Sequence, residues 1–187
     1  SDKKLDRRVI EQTLEREKAY WREHNDGLYP SLVRKLPRFA DEVNRHIDLT
    51  AREHLPIEQF NGAVNPRYPE HFVETGGVLT YNGELKIVSF SPPNKSKVIK
   101  TRKDDGNGST IDSSNILVTP REAIDSKDVL VNWHSHPVGH GEPSILDMEL
   151  SKELIEAINK KAKQFYSIIF LPKRNISYWY EFKKNKD

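Results

Sequence analysis

His134-Ser135-His136-Pro137-Val138-Gly139-His140-Gly141-Glu142-Pro143-Ser144-Ile145-Leu146-Asp147 is the stretch around which the rest of the chain can be ordered. Two histidines stand one residue apart, and an aspartate follows in what reads as the first turn of a helix. On an extended segment residues i and i+2 leave the same face, so His134 and His136 can converge on one ion. Zinc takes imidazole nitrogen and carboxylate oxygen at about 2.0–2.2 Å, and a catalytic zinc keeps three protein ligands with the fourth position open to water. Pro143-Ser144-Ile145-Leu146-Asp147 predicts a helix start, with Ser144 at the N-cap and Asp147 three residues on. The third ligand would then come from a second element, unlike a site built on one helix. A capping box alone would account for Ser144 and Asp147. It gives no reason for His134, His136 and Pro137 at this spacing.

Working outward, residues 129–133 form a short apolar run that reads as a strand delivering His134 to its end. Downstream, a helix is predicted from 144 to about 163, with Leu146, Leu150, Leu154, Ile155 and Ile158 on its buried side. Two strands follow, at 165–171 and 176–182, and then a lysine-rich tail. Upstream, 72–80 reads as a strand. Tyr81-Asn82-Gly83-Glu84 supplies a hairpin turn, because Asn-Gly accepts positive φ, and 85–89 is the return strand. Residues 95–103 carry five basic side chains in nine, and the Asp/Gly/Asn/Ser stretch at 104–109 is expected to be a mobile loop.

The N-terminal third is different. Residues 2–25 are charged and helix-forming, with Leu5, Val9, Leu14 and Trp21 as sparse apolar points, and the stretch ends at His24-Asn25-Asp26-Gly27. Leu36, Ala40, Val43, Ile47 and Ala51 recur at three- and four-residue steps, the stripe of an amphipathic helix whose first turn would hold Pro37. Residues 1–55 are therefore expected to be a helical extension and 56–187 the catalytic domain. The extension would be an interaction element, docking on the catalytic domain, on a second protomer or on a partner enzyme. No catalytic group is expected from it, so its deletion should spare zinc binding.

The whole chain sets limits on class. Its 187 residues are 35% hydrophobic and 31% charged, which implies a modest core with charged exposed helices. Thirty basic against 28 acidic residues give +2, too balanced for nucleic-acid binding by bulk field. The absence of cysteine excludes disulfides, a thiol nucleophile and cysteine-ligated zinc, and fits a cytoplasmic protein. No apolar run approaches a membrane span. The chain opens on Ser1 and its only methionine is Met148, so the native start is expected elsewhere.

His134, Ser135, His136 and Pro137, with Ser144 and Asp147 behind them, resemble the signature of the JAMM (MPN+) zinc metallopeptidases, H-S/T-H-P-x6-S-x2-D. That family also carries an upstream glutamate followed by glycine and leucine three and five residues later. Glu74, Gly77 and Leu79 stand in that relation here. The resemblance covers roughly residues 72–182. It implies an α/β MPN (cytidine-deaminase-like) fold, a mixed β-sheet flanked by helices. It implies one catalytic Zn2+ held by His134, His136 and Asp147, with Glu74 as the acid–base carboxylate and Ser144 donating to the oxyanion. The implied activity is cleavage of a peptide or isopeptide bond at the C-terminus of a ubiquitin-like modifier. A compact core of this kind resembles prokaryotic members that process ubiquitin-like modifiers, some in antiviral defence operons. E1-like or E2-like partner enzymes, or a homodimer through the extension, are the expected partners.

Gly76 and Gly77 are expected to let a substrate backbone approach closely. Residues 92–119 occupy the place of a family insertion that pairs with the modifier's extended tail; the second insertion, after the aspartate helix, has no counterpart. Glu142 is a rival to Glu74 but reads as a surface acid, Glu70 and Glu84 as turn residues, Trp133 as packing and His140 as solvated. Two other readings compete. One is a DNA-repair-associated relative that binds nucleic acid through 95–103 and the tail; the other is a non-catalytic MPN scaffold, which would lack the ligands.

Overall fold

Asn82 and Gly83 turn the chain back on itself, and Gly83 takes the left-handed φ of 74° that the turn demands. The computed structural model describes residues 2–24, 28–61, 73–91, 97–98, 109–110, 125, 127–137, 141–157 and 163–184. In chain order these are α1 (Asp2–His24), β1 (Leu28–Leu32), α2 (Ala40–His54), the short α3 (Glu58–Asn61), β2 (Gly76–Tyr81) and β3 (Leu85–Ser91). There follow β4 (Lys97–Val98), β5 (Ser109–Thr110), β6 (Val129–Ser135), α4 (Ile145–Ala157), β7 (Gln164–Leu171) and β8 (Ile176–Lys184). Six strands form one mixed sheet in the order β1-β8-β7-β6-β2-β3, and β4 pairs with β5 apart from it.

Only β6 and β7 run parallel. A parallel pair needs a crossover, and α4 lies within it. β6 therefore ends at the point where the chain leaves the sheet for a helix, the place where open α/β sheets present ligand sites.

Side chains alternate along β6. Val129, Val131 and Trp133 join α2 in one core, built with Leu79, Tyr166, Ile168, Phe170 and Trp179 from the other strands. Leu130 leaves the opposite face and packs with Leu154 and Ile155 of α4, Val78 and Phe165. Farther along that second face, Ile10 of α1 meets Leu32, Ile169, Leu171, Tyr178 and Tyr180.

The N-terminal extension differs from expectation in composition, since it holds a strand as well as helices. Leu28–Leu32 is a strand, paired with β8 at the sheet edge. Pro30 fits there because an edge strand needs no donor on its outer side. The stripe of α2 is buried at Ala40, Val43, Ile47 and Ala51, while Leu36 precedes the helix and is exposed. Pro37 also lies ahead of α2, its carbonyl accepting from the Ala40 amide at 3.0 Å. In α1 the buried residues are Ile10 and Trp21, whereas Val9 is exposed. Of the three docking surfaces considered for the extension, the sheet of its own chain is the one it covers. Deleting residues 1–55 would strip one face of that sheet and one of its edge strands. The deletion therefore cannot test zinc binding in a folded domain.

Smaller shifts follow from packing. β2 begins at Gly76 rather than at residue 72, and β6 runs on through Ser135, so His134 lies inside the strand. The inner side of α4 carries Met148, Ser151, Leu154 and Ile155; Ile158 and the Leu146 side chain lie outside the described residues.

Candidate metal centre

β2 and β6 are antiparallel, with Gly76 opposite His134. The register continues past the strand ends. The Ser135 amide donates to the Thr75 carbonyl at 2.8 Å, and the Thr75 amide donates to the Ser135 hydroxyl at 3.0 Å. Thr75 also donates its own hydroxyl to the Ser91 carbonyl on β3, at 2.9 Å. These bonds explain the serine between the two histidines: its side chain ties the histidine strand to the residue after Glu74. Glu74 is the next residue back along the chain, and its charge acts on His134.

On the other side, the helix start folds as a reciprocal capping box. The Asp147 amide donates to the Ser144 hydroxyl at 3.1 Å, and the Ser144 amide donates to Asp147 Oδ2 at 2.8 Å. That fixes the Asp147 carboxylate against the histidines. His134 Nε2 lies 3.2 Å from Oδ1 and His136 Nε2 lies 3.1 Å from Oδ2. The two Nε2 atoms are themselves 2.8 Å apart.

This triangle tests whether a metal suits the site. If both histidines donate to the carboxylate, two N–H groups face each other across the short edge. If one histidine donates to the other, the acceptor ring turns a lone pair toward an Asp147 oxygen. With the Asp147 carboxylate ionised, no placement of protons gives each of the three contacts its own donor and acceptor. A shared cation removes the conflict, taking a lone pair from each Nε2 and from a carboxylate oxygen. Tetrahedral zinc holds its ligand atoms about 3.3–3.6 Å apart, so the triangle needs to open by only about half an ångström. Among the described residues no other group of histidine and acidic side chains gathers in this way.

The electrostatics agree with the geometry. Burial opposes charge on His134, but Asp147, and to a lesser degree Glu74, hold its pKa up at about 9. Burial likewise works against the Asp147 carboxylate, yet His134 and His136 keep its pKa well below the ordinary 3.8. A region that stabilises one positive charge among a carboxylate and two imidazoles is set to take a cation.

Gly141, between the two halves of the motif, is held from β8. The buried Tyr180 hydroxyl donates to the Gly141 carbonyl. Gly141 presses so closely on the Tyr178 ring that a Cβ there would overlap it. Tyr178 in turn donates to Asp6 of α1 at 3.2 Å, and Asp6 pairs with Arg174. The extension thus braces Tyr178, against which Gly141 packs.

Comparisons with models of protein families, with curated proteins and with solved structures find no match for this chain.

The structure brings together His134, His136 and Asp147, with Glu74 and Ser144 at their borders. Gly76, opposite His134, leaves the histidine face of the sheet without a side chain at that point. Gly77 does otherwise. It faces α2's side, where a Cβ would meet the Ser89 carbonyl at 2.7 Å and Trp133 Nε1 at 3.2 Å, so it serves strand and indole packing and not substrate approach. Trp133 is buried in that core, as expected. Glu142 flanks the site closely enough for its charge to help raise the Tyr180 pKa, after burial. Glu84 is exposed at its turn. His140, Glu70, all but four of residues 92–119, and most of the basic run at 95–103 lie outside the described residues. Among those described, no helix is long and apolar enough to cross a membrane.

Sequence reasoning missed Tyr180, Gly141 and the role of Ser135. Tyr180 and Gly141 touch across a separation of 39 residues, which no local pattern signals.

Proposed function

We propose that this protein is a zinc-dependent peptidase or isopeptidase that cleaves the bond at the C-terminus of a ubiquitin-like modifier. The observation that carries the reading is the His134–His136–Asp147 cluster, whose geometry suits a shared cation, with the Glu74 carboxylate just ahead of the adjoining strand. Bound there, zinc supplies Lewis acidity and lowers the pKa of a coordinated water toward about 7.

The chain's own residues have distinct tasks. His134, His136 and Asp147 hold the ion from two separate elements, so its position is set by the fold. Glu74 accepts the proton of the attacking water and returns it to the leaving amine. Ser144 accepts from the Asp147 amide through its oxygen and so keeps its own hydroxyl proton to donate to the oxyanion. The helix cap and the oxyanion donor are thus one residue using different atoms.

The test is metal analysis followed by cleavage of ubiquitin-like proteins fused through their C-termini to a reporter. About one zinc per chain is expected, with activity lost in Glu74→Ala while zinc is retained. Full activity in that variant would remove Glu74 from the mechanism, and a wild-type protein without zinc would overturn the reading.

A further inference from the structure

Gln59 is fully buried on α3, far from the motif in sequence. Its side-chain amide grips the backbone of Val73 at both groups. Nε2 donates to the Val73 carbonyl at 3.1 Å, and Oε1 accepts from the Val73 amide at 3.3 Å. A primary amide that donates and accepts to one residue imitates the pairing of a neighbouring strand. Val73 is thereby held as a sheet residue would be, three positions before β2 begins.

The next held residue is Thr75, bonded to Ser135 on one side and Ser91 on the other. Between these two fixed neighbours lies Glu74. Both of its chain neighbours are thus hydrogen-bonded to other elements. The clamp on one side comes from the histidine motif itself. The other comes from α3, which follows closely on α2 of the extension, whose end is buried in the core at Ala51 and Leu55. The Gln59 amide in turn bonds to the Pro56 carbonyl at 3.0 Å.

We propose that Gln59 is a positioning residue for Glu74, holding its carboxylate beside the metal triad through the bidentate grip on Val73. This rests on the reading of the triad as a metal site with Glu74 as its carboxylate. A carboxylate beside the triad attracts a cation held there by simple Coulomb attraction. Zinc affinity therefore reports where the Glu74 carboxylate sits, without any substrate.

The experiment compares full-length wild type, Gln59→Met, Glu74→Gln and the double variant. Zinc affinity is measured by chelator competition at neutral pH, and the exchange of individual amides by NMR on the metal-free protein. In Gln59→Met the Val73 amide should exchange roughly tenfold faster, with Val78 and Leu130 unchanged. Glu74→Gln should weaken zinc binding by roughly tenfold, Gln59→Met should weaken it by part of that factor, and the double variant should be no worse than Glu74→Gln alone. Gln59→Asn, one methylene too short to span both groups, should repeat the pattern if the methionine variant does not fold.

An unchanged Val73 amide would overturn the clamp. An equal loss of zinc affinity with and without Glu74 would make Gln59 a structural residue only, and would overturn the proposal. If the wild type takes up no zinc, the metal reading fails instead, and Val73 exchange still passes or fails the clamp on its own.

Discussion

The two faces of β6 use alternate residues of one strand for different ends. Toward α2 it sends Val129, Val131 and Trp133 into a continuous apolar core. Toward α4 it sends Leu130, Asn132 and His134, which pass from apolar packing to the candidate metal site over five residues. The first face is closed by large side chains meeting large side chains. The second is buried along its length as well, but at the strand's C-terminal end polar side chains replace the apolar ones. The difference teaches that a one-residue offset separates packing from function here, since a slip of one would send Trp133 to the triad and His134 into the core.

Truncation on the packing face tests that division most severely. Trp133→Ala should cost about 3–5 kcal/mol in denaturant unfolding. His134→Ala should abolish tight zinc binding yet cost the metal-free protein no more than about 2 kcal/mol. Equal losses of stability from the two would break the contrast between the faces.

A smaller effect concerns protons. His134 must be neutral to bind a metal, and its pKa in the metal-free protein is raised to about 9. Zinc binding should therefore expel a proton, and apparent affinity should rise about tenfold per pH unit up to that value. Chelator competition between pH 6 and 9 measures the slope, and a flat profile would refute it. Stability of the metal-free protein should follow the opposite sign. The raised His134 pKa contributes stability below its ordinary 6.5, lost as pH climbs through about 9. The depressed Asp147 pKa contributes stability above 3.8, lost as pH falls further. Without metal, the site should be most stabilising between those two ordinary values.

Smallest of all is the cap. Ser144→Ala should cost about 1 kcal/mol in unfolding, through loss of the acceptor for the Asp147 amide. It should also loosen zinc, because the box orients the Asp147 carboxylate. A stable variant with unchanged zinc affinity would separate cap from ligand.

The motif's local parts were legible because each rests on short-range geometry. Histidines at i and i+2 share a face of any strand, and Ser144 with Asp147 forms the box its spacing predicts. The Asn82-Gly83 turn and the α2 stripe follow from the same kind of rule. Leu28–Leu32 escaped notice, because a five-residue edge strand containing proline carries no periodic signal.

Legible from residue order alone were therefore the two halves of a candidate metal site, one on a strand and one on a helix cap, and the helical stripe in search of a partner. Tertiary structure alone decided that the stripe covers the sheet of its own chain, that β1 extends this sheet, and that Gly77 serves Trp133. It alone brought Gln59 to Val73 and Tyr180 to Gly141, across 14 and 39 residues. The physical reason is that caps and strand faces are set by bonds within a few residues, while burial, register and long-range hydrogen bonds exist only once the whole sheet has closed.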